Sequence, residues 1–135
     1  MKIARPLLIL ASCLAFSAAA AFAYDINKAT QAAGKALEKV RHNTEFYFYN
    51  IPPDQKPKPE VILKFMRDCR AAGQAGAIGS EKLSVIFDVL QAALAAKSEE
   101  KFDGLVLIVV AAQKDPKKFD ALLLSRGITP VYATY

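Results

Sequence analysis

Tryptophan is absent from this 135-residue chain, histidine occurs once and cysteine twice. Each scarcity removes a chemistry. A structural zinc site wants four Cys or His ligands; past the first 23 residues the chain offers one of each, Cys69 and His42. A lone exported cysteine cannot close an internal disulfide. No Asp-x-Asp-x-Asp-Gly run is present for a calcium loop and no Gly-x-Ser-x-Gly elbow for a serine hydrolase. Basic residues are interspersed with acidic ones instead of forming a stripe, which argues against nucleic acid as a partner. His42, between Arg41 and Glu45, reads as a surface residue near a helix end. No catalytic residue, metal or cofactor is assigned.

The apolar opening is what the chain has in excess. Lys2 and Arg5 precede the apolar run Leu7–Phe16, and small residues lead to Ala21-Phe22-Ala23. These are the three parts of a secretory signal, with a cut expected after Ala23 and a periplasmic or secreted product. The stretch Leu10-Ala11-Ser12-Cys13 offers a competing lipobox. Cutting there would leave further apolar residues on the mature chain, so the later cut is favoured. Membrane attachment is expected only if Cys13 is lipidated or the signal is retained. Residues 24–135 then form one domain, and loss of Lys2 and Arg5 lowers the formal net charge from +5 to about +3.

The rest reads as a series of helices. Asp25 is placed to cap a first one, with Ile26, Ala29, Ala33, Leu37 and Val40 on one stripe, running to about His42. Pro59 suits the first position of a second, reaching about Ala72. On it Ile62, Phe65, Met66 and Cys69 share a face, so Cys69 is expected to be buried. The stretch GQAGAIG, with Gly73, Gly76 and Gly79, reads as a joint between helices. Ser80 is expected to cap a third helix carrying Leu83, Ile86, Phe87, Leu90 and Leu94 inward, and Ser98 a fourth. Pro116 begins a fifth, which Gly127 stops. The tail TPVYATY lacks helical spacing and reads as extended.

Leu105–Ala112 is β-branched and apolar on all sides, which suits a central helix or a buried strand equally. The Ser98 cap and the acidic Glu99 and Glu100 favour helix. The expected fold is therefore all-α, a single domain of four or five helices in an irregular bundle. The alternative is α+β, with Leu105–Ala112 a buried strand. EKFDGLVL and KKFDALLL, which resemble each other, read as two similar helix starts.

Two segments suggest binding. Phe46, Tyr47, Phe48 and Tyr49 adjoin a stiff proline segment, Pro52 to Pro59, that carries Lys56 and Lys58. Large rings beside a rigid loop offer contact area at low entropic cost. These six residues are the candidate site of an exported, non-enzymatic protein that engages another protein of the cell envelope, of inhibitor, immunity or adaptor type. A homo-oligomer is a further expectation. The alternatives are a carrier of a lipid or other apolar ligand, in a closed cavity around Leu105, Val109 and Phe87, and a small hydrolase built on His42. The second segment, GQAGAIGSEK, could present Gly79, Ser80 and Lys82 to an anion. It lacks the Gly-Lys-Ser/Thr of a P-loop and follows an expected helix instead of a strand, so the joint reading is preferred.

Overall fold

A computed structural model describes residues 25–135; the expectations for Cys13 and for cleavage after Ala23 lie outside them. The described chain runs α1 (Ile26–Glu38), β1 (Phe46–Ile51), α2 (Pro59–Ala72), β2 (Ala75–Ser80), α3 (Leu83–Ala96), β3 (Val106–Ala111), α4 (Pro116–Leu123), a 3-10 turn (Leu124–Arg126) and β4 (Thr129–Thr134). The strands form one sheet in the order β1-β2-β3-β4. Every neighbouring pair is parallel.

This overturns the all-α helical bundle. The protein is α/β, and the stretches read as a helix, as a joint between helices and as an aromatic binding segment are strands. β3 is the ambiguous VLIVVA segment, and its last five residues are buried. A parallel strand covered on both faces has no polar side to show, so its pattern is a continuous apolar run. Ser98 caps nothing: it precedes an irregular loop, and Glu100 pairs with Arg67. The α+β alternative located the strand but not its parallel neighbours. The two similar octapeptides diverge as well, one entering β3 and the other lying in α4, although Phe102 and Phe119 are both buried.

β2 is AGAIGS, buried along its whole length. Apart from Ile78, nothing in it has high strand propensity. Its small residues answer a packing need. A Cβ at Gly76 would sit 3.0 Å from Cys69 Sγ and 3.1 Å from Cε2 of Phe65. Glycine is what lets α2 approach the sheet so closely. Nor does Ser80 cap α3, for it is the last residue of β2, and α3 starts at Leu83.

Sequence order equals spatial order, so each crossover moves the same way across the sheet. Right-handed crossovers then deposit every connecting helix on one face. The buried clusters agree. Tyr47, Tyr49, Ile51, Ile78, Leu107 and Val109 pack with residues of α2, α3 and α4. Phe46, Phe48, Ala75, Ala77, Ile108 and Val110 cluster on the other face with Ala29, Ala33 and Leu37 of α1. α1 packs chiefly over β3 and β4.

Several boundaries follow their local signals. Asp25 Oδ1 accepts from the Asn27 and Lys28 amides at 2.9 and 3.3 Å, capping α1, which stops at Glu38, short of the expected His42. α2 spans Pro59–Ala72 as expected, with Cys69 buried. It ends on Gly73 at φ +68, where the Gly73 and Gln74 amides turn back to Arg70 and Cys69 carbonyls. α4 begins at Pro116, and the tail is β4. The edge position of β4 tolerates Pro130, which lacks an amide to donate.

Candidate functional site

The expected aromatic site is dismantled by its own strand. Side chains alternate across a sheet, so Phe46 and Phe48 point under α1 and are fully buried, while Tyr47 and Tyr49 pack half-buried toward α2. Tyr49 stacks edge-on against Phe65 at 5.6 Å. The rings therefore occupy both cores and form no common surface. Lys56 and Lys58 are exposed on the β1–α2 loop. His42 is exposed on the α1–β1 loop. Leu105 and Val109 are buried in the core, whereas Phe87 lines an open cleft, so the three do not enclose one cavity.

That cleft is the feature the sequence reading missed. It lies beyond the carboxyl ends of β2 and β3 and has a volume of about 470 Å³. One wall comes from the β2–α3 turn and the first turns of α3: Glu81, Lys82, Leu83, Ser84 and Phe87. The other comes from the β3–α4 loop and the start of α4: Ala112, Gln113, Asp115, Lys118 and Phe119. Open α/β sheets characteristically hold ligands outside the carboxyl ends of their strands. Here the strand order has no reversal, so the crevice opens between two successive crossovers on a single face.

GQAGAIGSEK contributes Glu81 and Lys82 to one wall, and its context is a strand, a two-residue turn and a helix, the setting the sequence reading denied it. α3 and α4 both point their N-termini toward the cleft. Neither has a side-chain cap or an acidic residue in its first turn. Helix N-termini carry partial positive charge and unpaired amides. Lys82 occupies the N-cap position of α3, and Lys117 and Lys118 fall in the first turn of α4. Among the described residues, the ammonium groups of Lys82, Lys117 and Lys118 make no hydrogen bond or ion pair, although the Lys82 carbonyl accepts from the Val85 amide. The Lys118 ammonium instead stands 4.1 Å from the centroid of the Phe87 ring. Glu81 and Asp115 balance the two lining lysines in formal charge, so it is the helix ends that bias the cleft toward anions.

The floor is held rigidly. Phe87 stacks edge-on with Phe119 at 5.3 Å, and Phe119 with Tyr132 at 6.3 Å. Tyr132 Oη donates to Asp120 Oδ1 at 2.5 Å and also meets the Pro116 carbonyl at 3.2 Å, tying the start of α4 to β4. Burial, then the Asp120 hydrogen bond, raise the Tyr132 phenol well above its usual range, so it stays protonated and donating. Behind the cleft, Ser80 is fully buried and its Oγ has no hydrogen-bond partner among the described residues. Its carbonyl accepts from Tyr135 Oη at 3.4 Å.

Burial pushes the Cys69 thiol up to about 12, which leaves it protonated and inert at neutral pH. Among the described residues there is no cluster of three His, Cys, Asp or Glu side chains able to hold a metal ion. No helix among them is long and apolar enough to cross a membrane. Compared with protein families, with curated proteins and with solved structures, the chain finds no match.

Proposed function

We propose that this is an exported, non-enzymatic binding protein whose ligand is a small organic anion held in the cleft between the N-termini of α3 and α4. The observation that carries the reading is the pairing of an open 470 Å³ cleft with two uncapped helix N-termini and two unpaired lysines, Lys82 and Lys118, on opposite walls. An anion there would accept from free amides of both helices and from both ammonium groups. A protein partner on the aromatic segment is the weaker reading, because burial of Phe46 and Phe48 removes half of that surface.

The test is a titration of the purified, isotope-labelled protein with inorganic phosphate, acetate and citrate, followed by amide NMR. Shifts confined to Glu81–Phe87 and Ala112–Phe119 are expected, with dissociation constants of about 1 mM or below, as suits a fragment making a few charge-assisted bonds. Lys118→Glu, which reverses one wall, should abolish them. Unmoved amides in both segments at about 10 mM of all three anions would refute the reading.

A further inference from the structure

Resting on that cleft reading, we infer that the ligand carries a flat aromatic or heteroaromatic ring beside its anionic group. The inference comes from Phe87 and Lys118. Phe87 lines the cleft and is half-buried, with its edge-on contact to Phe119 fixing the ring and one face left toward the cleft. That face is covered by the Lys118 ammonium at 4.1 Å. A cation over a ring is a weak exposed interaction, whereas an ammonium hydrogen-bonded to an oxyanion is a stronger one. An arriving anion therefore draws Lys118 off the ring toward itself. The uncovered face then lies next to the bound anion, where a planar group attached to it stacks with a centroid separation normal for aromatic pairs. A ligand with an aliphatic remainder leaves that face bare. Recruitment of Lys118 and exposure of Phe87 are thus one event, read by two parts of one ligand.

Phenyl phosphate and glycerol phosphate carry the same anion on a ring and on a polar chain, so their ratio of affinities isolates the ring. In the wild-type protein phenyl phosphate should bind about threefold to tenfold tighter, the size of one aromatic pair. Phe87→Leu should reduce that ratio to near one, and Phe87→Tyr, which keeps a ring, should preserve it. The phenyl protons should shift upfield on binding to the wild type but not to Phe87→Leu. Circular dichroism verifies that each variant folds; should Phe87→Leu fail to do so, the wild-type ratio and the upfield shift still decide the matter. Equal affinities for the two phosphates would overturn the ring while leaving the anion cleft standing. Binding of neither phosphate would overturn the cleft reading itself, and this inference with it.

Discussion

Gly76 gives the sharpest test of the fold, because only a parallel sheet under α2 brings it to Cys69 and Phe65. Adding a methyl group at this position places Cβ 3.0 Å from Cys69 Sγ and 3.1 and 3.3 Å from two atoms of the Phe65 ring. Overpacking of this kind costs about 1–3 kcal/mol. Replacing glycine also removes freedom from the unfolded chain, which returns about 0.4–1 kcal/mol. Gly76→Ala should therefore lose about 1–2 kcal/mol. Cys69→Ala deletes one buried heavy atom and should lose about 1 kcal/mol through transfer and cavity terms. Together they should lose less than the sum, by about 0.5–1.5 kcal/mol, since the missing sulfur makes room for the new methyl. Phe65 still crowds the site, so relief is partial. Gly73→Ala is the control. Its Cβ meets nothing within 4 Å, and its cost of about 1–2 kcal/mol comes from φ +68 alone, so it should add to Cys69→Ala without coupling. Urea denaturation with unchanged m-values measures the five variants, the two double substitutions included, against the wild type. Additivity of Gly76→Ala and Cys69→Ala within about 0.5 kcal/mol would refute the packing of α2 on β2.

Two further outcomes test other parts of the fold. Ser80→Ala removes a buried hydroxyl without a partner and should raise stability by about 1 kcal/mol in the same assay; a loss of that size would mean that the hydroxyl is satisfied. Glu100 accepts from Arg67 through two hydrogen bonds at 2.8 and 2.6 Å, and these, chiefly the hydrogen bonding, hold its carboxyl below the usual range. A lowered folded value means stabilisation that is complete above the unfolded carboxylate pKa of about 4.3 and lost as pH falls through the lower folded value. Glu100→Gln should accordingly be less stable than wild type at pH 7, with the gap closing in acid; a gap independent of pH would refute the ion pair.

How much of this was legible beforehand depended on whether local chemistry or tertiary covering set the pattern. The Asp25 cap, Pro59 and Pro116 at helix starts and the glycine stops are determined within a few residues, and the structure has all of them. The Cys69 face likewise follows from helical spacing. The sheet was hidden because both its faces are covered. β3 loses its alternation to burial on two sides, and the closeness of α2 reduces β2 to small residues around a single isoleucine, Ile78. β1 alternates in burial from Phe46 to Tyr49, but Phe and Tyr are both aromatic, so the alternation of FYFY was disguised. The cleft was invisible for a related reason. Its walls join two loops about thirty residues apart, and only a parallel order brings them side by side.

Basic residues are deployed differently at the two ends of the sheet, and that difference yields a test of function through stability. Arg41, Arg70 and Arg126 donate to carbonyls at the amino end, Arg126 to that of Leu94 in the last turn of α3 and to those of Lys97 and Glu100 just past it. Cations belong there, beside helix C-termini. At the carboxyl end Lys82, Lys117 and Lys118 stand against positive helix ends, a local arrangement that folding alone disfavours. Violations of this kind concentrate at functional sites. Lys82 has the extended backbone of an N-cap, φ −113 and ψ 126, but a side chain unable to accept from the helix amides. Lys82→Asp supplies an acceptor and reverses the charge, so it should stabilise the protein by about 1–2 kcal/mol. The same change places a carboxylate where the proposed ligand puts its own charge, and anion binding should disappear. Increased stability with lost binding would show that the lysine is kept at a cost to the fold. Stability unchanged or reduced, or anion binding that survives the substitution, would refute the proposition that this end of the sheet is shaped by a negatively charged ligand.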